Sequence, residues 1–221
     1  LILTGNELQK PGNALSFGQV YESNSYTIRT DLQQLGINSV TTYEAKDAIE
    51  ELSEVLSHAI EKHSLVLLTG GVSVGDYDFV LATAARNDVQ TIFHRIAQKP
   101  GKPLFFGKKA NTLVFGLPGN PASVLTCFYQ YVLPCIQQLQ HKNDKLPVLS
   151  VPLKKRVTKV AGLTQFLKAH YDGQTVTPLS AQESFRMRTF AVANCFICLE
   201  GDRLHYDADD LVPIHLLPTT L

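Results

Sequence analysis

The sequence predicts an α/β domain of three layers, built on a mostly parallel sheet, followed by a small all-β barrel domain. Three observations carry this. Short apolar runs alternate with helical periodicity as far as about residue 140. The polar stretch His141–Lys145 then breaks the pattern. Beyond Pro147 only short β-like runs remain, parted by turn signals such as Asp172-Gly173 and Gly201-Asp202. The expected domains are 1–144 and 145–221.

Taken in order, Leu1–Thr4 reads as a strand, with a Gly/Pro-bearing loop after it through Gly18. Residues 23–35 carry Ile28, Leu32 and Leu35 at helical spacing, and Gly36 supplies a stop. Ile37–Tyr43 reads as a strand. Residues 48–62 repeat Ile49, Leu52, Leu56 and Ile60, an amphipathic helix. The continuous apolar run Ser64–Leu68 suits a strand buried on both faces. A glycine-rich loop leads to a helix over about 77–87. Strands follow at Gln90–Arg95, Leu104–Phe106 and Thr112–Phe115, then one long helix over 121–139. The second half offers strands at Val148–Pro152, Thr164–Tyr171, Thr175–Pro178, Asn194–Leu199 and Leu211–Leu216.

Bulk composition excludes some function classes. Lys plus Arg (20) equals Asp plus Glu (20), so nothing attracts nucleic acid or an anionic membrane surface by net charge. No apolar run reaches the roughly 18–20 residues a membrane helix needs. With no signal peptide visible, Cys127, Cys135, Cys195 and Cys198 are expected as free thiols in a reducing, cytoplasmic setting. Cys195 and Cys198 form a CxxC inside a strand-like run. Residues three apart on a strand face opposite ways, so the pair reads as core rather than as a metal site.

Four segments carry chemistry. The run Gly70-Gly71-Val72-Ser73-Val74-Gly75-Asp76-Tyr77-Asp78 follows a buried strand and precedes a helix, where open α/β sheets bind ligands. Its glycines allow a tight turn or a cradle of N–H groups for an anion, and Asp76 or Asp78 could cap the helix. The run Gly116-Leu117-Pro118-Gly119-Asn120-Pro121 sets an N-cap residue and a first-turn proline at a helix start, a place prepared for an oxyanion. Between these runs, Arg95, Lys99 and Lys102 lie within eight residues, stiffened by Pro100 and Pro103. Such a run is a solvated face or, between two anion-prepared loops, a phosphate clamp. Finally, Asp47-Ala48-Ile49-Glu50 has the spacing of a capping box, which would make Asp47 a helix cap.

These segments, with Thr4-Gly5-Asn6-Glu7-Leu8, Gly18-Gln19-Val20-Tyr21-Glu22-Ser23-Asn24 and Lys99-Pro100-Gly101-Lys102-Pro103, resemble the molybdopterin molybdenumtransferase family in this order. The match in the second domain is thinner, at Ser184 and Ala193-Asn194. The Lys99–Pro103 segment, the wording of the Pro118 loop and the β domain favour this family over the sister pterin-adenylating proteins. The resemblance implies a MogA-like molybdopterin-binding fold for the first domain. It implies insertion of molybdate into adenylated molybdopterin with release of AMP, helped by Mg2+ or another divalent cation. It makes Asp47 and Asp78 the catalytic and metal-holding carboxylates. Gly70, Gly71, Ser73, Arg95, Lys99, Lys102, Pro118, Gly119, Asn120, Pro121 and Ser184 become substrate contacts. It further implies a homodimer and a contact with the molybdopterin adenylyltransferase, and no nucleic-acid or membrane partner.

Three departures stand out. Asn6 occupies the place of the family's Asp. Leu163 occupies that of the Arg in a Gly-Arg-x-(Asp/Glu)-Phe pattern, here Gly162-Leu163-Thr164-Gln165-Phe166. The chain also reads as a C-terminal half, so the family's N-terminal domains, which complete the site across a dimer interface, are expected outside it, and the fragment is not expected to turn over alone. Loss of the Arg motivates an alternative, a non-catalytic molybdopterin-binding module of the same fold. A scaffold is a third class that nothing in the sequence favours.

Overall fold

The structure is a computed structural model and describes residues 1–71, 79–142 and 146–218. Its elements run β1 (Ile2–Thr4), β2 (Leu8–Gln9), β3 (Val20–Tyr21), α1 (Asn24–Gln34), β4 (Tyr43–Ala45), α2 (Ile49–Lys62), β5 (Leu65–Thr69), α3 (Phe79–Arg86) and β6 (Gln90–His94). There follow β7 (Gln98–Lys99), β8 (Phe105–Lys109), β9 (Thr112–Leu117), α4 (Pro121–Cys127) and α5 (Leu133–Leu139). The rest is β10 (Val148–Pro152), β11 (Val157–Thr158), β12 (Thr164–Tyr171), β13 (Val176–Pro178), β14 (Cys195–Leu199), β15 (His205–Tyr206) and β16 (Leu211–Leu216). Contacts divide the chain into two compact units, Leu1–Ile96 with Pro103–Leu125, and Ala97–Lys102 with Thr126–Leu221.

In the first unit one sheet has the order β4-β1-β5-β9-β8-β6. Only β8 runs against the other five, pairing antiparallel with β9 and β6, so the sheet is mostly parallel. One face, with Ile2, Leu68, Val66 and Val114, packs against Leu52, Leu56 and Ala59 of α2 and Val80 and Ala84 of α3. Leu3, Leu67, Phe115 and Leu117 alternate to the other face and are equally buried, as are Ile28 and Leu32 of α1 and Val124 and Leu125 of α4. A sheet covered on both sides explains why its central strands read as unbroken apolar runs.

Helix α1 starts where Glu22, itself buried, accepts hydrogen bonds from the N–H and hydroxyl of Ser25 (2.7 and 2.5 Å). It stops at Gly36, whose φ of 78° lets the N–H of Ile37 fold back onto the carbonyl of Leu32. The expected strand over Ile37–Tyr43 is displaced, and β4 covers Tyr43–Ala45 instead. β1 offers only three residues to pair with. Upstream, the Val40 carbonyl and the Thr42 hydroxyl are held by Arg29, and the Thr41 carbonyl by the backbone nitrogen of Leu1.

The helix expected over 121–139 does run through that span, but its two α segments are joined by a π turn. Pro134 stands in the first turn of α5 and supplies no N–H. The helix widens there into a π turn, Phe128–Val132, in which the N–H of Leu133 reaches the carbonyl of Phe128.

The second unit holds a sheet of order β10-β16-β14-β12-β13, antiparallel throughout, whose edges meet through a bridge between Leu153 and Val176. That closure makes a small barrel. Its interior gathers Leu153, Leu167, Cys195, Ile197, Val212 and Ile214, while Phe166, Phe196 and Cys198 form a cluster on the other side of the strands. Cys195 and Cys198 thus face opposite ways, as strand geometry requires, and all four cysteines are free. The short strand β7 joins this sheet in parallel with β12, a pairing that the sequence did not announce.

Candidate functional site

Strands β4, β1, β5 and β9 are adjacent and parallel, so Ala45, Thr4, Thr69 and Leu117 end on one edge of the sheet. The loops that leave this edge touch one another. Gly70 has φ 86°, and a Cβ placed there would stand 1.9 Å from the carbonyl oxygen of Thr4. The loop after β5 therefore lies directly on the end of β1. A Cβ on Gly71 would come within 3.0 Å of the Thr4 methyl, and one on Gly119 within 3.9 Å of the Gly70 Cα. The carbonyl of Gly119 accepts a hydrogen bond from Asn24 Nδ2 at the head of α1 (2.9 Å). Pro118 is buried, whereas Gly119 and Asn120 face solvent. Asn120 accepts the first helical hydrogen bond of α4, from Val124 N–H (3.0 Å), with Pro121 opening the helix as its sequence suggested.

Asp47 does not cap α2. The N-cap residue is Ala48, in extended conformation and without a side-chain cap bond. One residue too early for that role, the Asp47 carboxylate turns back onto the end of β1. There it accepts hydrogen bonds from the Thr4 hydroxyl and from the backbone N–H of Asn6 (3.2 Å). The backbone N–H of Asp47 faces the Asn6 amide oxygen at 3.5 Å. Glu51, not Glu50, reaches back at the helix start, accepting from Lys46 N–H (3.0 Å). Five residues singled out in the sequence, Asp47, Gly70, Gly71, Pro118 and Gly119, thus stand along one sheet edge, together with Thr4, Asn6 and Asn24.

Arg95 follows β6 in a left-handed conformation (φ 62°), its N–H bound to the Leu104 carbonyl (2.9 Å). Antiparallel to β8, which is antiparallel to β9, β6 ends on the same edge as β9. It lies at the flank away from β4, five strand spacings or roughly 24 Å across. Arg95 and Asp47 therefore bracket the loop cluster rather than touch.

Lys99 and Lys102 fall in the second unit, both exposed, with Lys99 on β7 opposite Gln165 of β12. Leu163 immediately precedes Thr164, the register partner of Gln98. The residue in place of the family's Arg therefore borders the turn that carries Lys99 and Lys102. Ser184 lies in a loop gripped by Lys168. Lys168 is only 4% exposed, and its ammonium donates to the carbonyls of Ala181 (2.9 Å) and Arg186 (3.0 Å). Burial holds its pKa below the usual lysine value. The Gln182 side chain closes the same loop onto the backbone of Lys168 from both ends of its amide. Ser73 and Asp78 lie outside the described residues.

Sequence reasoning missed Thr4, Asn24 and Lys168. Lys168 did leave a signal, a cation amid the apolar Phe166, Leu167 and Ala169. Among the described residues no three His, Cys, Asp or Glu side chains gather as a metal cluster. The Asp47 carboxylate oxygens each accept one donor, the Thr4 hydroxyl and the Asn6 N–H, while the Asn6 amide oxygen faces the Asp47 backbone N–H. A carboxylate oxygen keeps a second lone pair beside the one such a donor takes, which suits an ion such as Mg2+ that takes one or two protein carboxylates and keeps water and substrate phosphate as its other ligands.

The chain is similar to known proteins along nearly its whole length. Residues 1–138 match a family described as "Probable molybdopterin binding domain", and residues 150–217 match the "MoeA C-terminal region (domain IV)". A molybdopterin molybdenumtransferase of Haemophilus influenzae is 36% identical over 98% of this chain and 56% of its own length. One from Staphylococcus aureus is 30% identical over 98% of this chain and 53% of its own. Among solved structures, a molybdopterin biosynthesis MoeA protein from Pyrococcus horikoshii superposes with a TM-score of 0.80 at 28% identity, covering 97% of this chain and 53% of that one. The chain spans about half the length of the curated relatives it matches. With that match over residues 1–138, the chain belongs to the family described as a probable molybdopterin binding domain, and a segment similar to the MoeA C-terminal region follows it.

Proposed function

We propose that this chain is the ligand-binding half of a molybdopterin molybdenumtransferase. Its substrates are adenylated molybdopterin and molybdate, and its reaction transfers molybdenum to the dithiolene with release of AMP. The observation that carries the reading is the meeting of the Gly70–Gly71 loop, the Pro118–Gly119 loop and the Asp47 carboxylate at the C-terminal ends of four parallel strands. Residues 1–144 serve as the pterin- and molybdate-binding domain and 145–221 as the small β domain.

Each residue has a physical task. Backbone at Gly70, Gly71 and Gly119, free of Cβ, approaches a ligand closely, with Ser73, Pro118, Asn120 and Pro121 completing the two loops. Arg95, Lys99 and Lys102 offer cationic donors to phosphate and molybdate, and Ser184 a hydroxyl. Asp47, with Asp78, would hold Mg2+, which polarises the phosphoanhydride when bound. The intact protein works as a homodimer in the cytoplasm, with the molybdopterin adenylyltransferase as its supplier.

The neutral residue at Leu163 favours a second reading, a module of this fold that binds molybdopterin without inserting metal. The primary test is a calorimetric titration of the chain with molybdopterin. Saturable binding that weakens at least tenfold in Arg95→Ala/Lys99→Ala supports the site. In full-length protein, Asp47→Asn should leave the fold intact and cut metal insertion. A folded chain that gives no heat with molybdopterin, or an Asp47→Asn enzyme of unchanged activity, would sink the respective assignment.

A further inference from the structure

The π turn Phe128–Val132 is a local irregularity that Pro134 explains but whose side chains have a separate use. An inserted residue changes which directions the helix's side chains face, and π turns recur at functional sites for that reason. Here two consecutive side chains are spent on distant partners. Gln130 Oε1 takes a hydrogen bond from His215 Nδ1 (2.8 Å). The Tyr131 hydroxyl donates to Gln98 Oε1 (2.5 Å).

Gln98 is 3% exposed and passes that bond onward. Its Nε2 donates to the Pro100 carbonyl (2.9 Å) and faces that of Gly101 (3.4 Å). Both carbonyls lie inside Lys99-Pro100-Gly101-Lys102. On the turn's other flank, Thr164 N–H holds the Ala97 carbonyl (2.8 Å) and β12 pairs with β7. The pattern along the turn follows: Gln98 and Gly101 are buried, Lys99 and Lys102 exposed. Neither lysine has an ion pair among the described residues. The carbonyls of Ala97, Pro100 and Gly101 are thus held from within the fold, while neither ammonium group is ion-paired among the described residues. Burial keeps Tyr131 a neutral donor, its pKa pushed up to about 12.

We infer that Tyr131 and Gln98 are positioning residues, which fix the Lys99–Lys102 turn so that its two ammonium groups meet a tetrahedral oxyanion as a preset pair. A lysine side chain carries much rotamer freedom, and a mobile backbone beneath it would add to the entropy lost on binding. The inference rests on the proposal that this turn contacts phosphate or molybdate.

The test is a double-mutant cycle on the 221-residue chain, titrated calorimetrically with sodium molybdate, with melting temperature recorded for every variant. Tyr131→Phe should weaken molybdate binding about 3–10-fold, the range of one neutral hydrogen bond. Its effect should shrink in a Lys99→Met background and vanish in Lys99→Met/Lys102→Met, because the phenol acts only through the turn. Gln98→Met should reproduce that coupling. Equal weakening in every background would mean a general loss of structure and overturn the inference. So would unchanged affinity in Tyr131→Phe and Gln98→Met while Lys99→Met binds poorly, an outcome that leaves the proposed function standing. Unchanged affinity in Lys99→Met would remove the turn from the oxyanion site, and the inference with it. Absence of molybdate heat from the wild-type chain overturns it too, while the molybdopterin titration tests the larger reading separately.

Discussion

At the scale of single residues, the glycines could be read from the sequence and the carboxylate could not. Two successive glycines after a buried strand already suggest close backbone approach, and the structure supplies its object, the Thr4 carbonyl. Gly70→Ala combines a left-handed backbone with a Cβ overlapping that oxygen. It should cost about 2–4 kcal/mol in urea unfolding, whereas Gly173→Ala, equally left-handed (φ 98°) but with nothing near its Cβ, should cost clearly less. Equal losses in the two variants would show that the contact with β1 is not what requires Gly70. For Asp47, the D-x-x-E spacing satisfied a local rule, and a helix cap was a sufficient reading. The carboxylate found better donors 43 and 41 residues away, at Thr4 and Asn6. No window of sequence contains that competition.

At the scale of elements, helices α1, α2 and α3 follow from periodicity, and the stop at Gly36 from the need for positive φ. The pairing of β7 with β12 follows from neither. Two residues have no periodicity to detect, and their partner lies some 66 positions on, at Thr164 and Gln165. That register places Leu163 beside the cationic turn, so Leu163→Arg should tighten molybdate binding roughly 5–20-fold, the range of a charge-assisted hydrogen bond, with a steeper dependence on salt. No change on titration would mean that the remaining cations already saturate the site. The π turn makes its own prediction through His215. Burial lowers the His215 pKa below 6.5, opposed by the nearby Glu200. In the unfolded chain the imidazole protonates near 6.5, while the folded state resists the proton. This contribution to stability is therefore complete above about pH 6.5 and is lost as pH falls from there toward the lowered folded value. Urea midpoints measured from pH 7.5 down to 5 should drop more steeply in the wild type than in His215→Gln. Parallel profiles would refute the assignment.

At the scale of the whole molecule, the relatives are nearly twice as long as this chain. These 221 residues, made alone, are expected to bind molybdopterin but to release no AMP from its adenylate. Chromatographic detection of AMP after incubation with adenylated molybdopterin, molybdate and Mg2+ checks this; sustained release by a purified sample would show that the chain carries a complete site. Alternating element types, turn residues and the break after residue 140 were enough to specify an α/β domain followed by a β domain, because backbone propensity and hydrophobic period are properties of contiguous residues. The motifs likewise announced which loops to watch. Sequence alone did not decide that four strands end together, that Arg95 stands at the opposite flank from Asp47, or that Gln98 and Tyr131 grip the lysine-bearing turn. Those are contacts between residues tens of positions apart, chosen by the packing of the sheets as wholes, and only the folded chain expresses them.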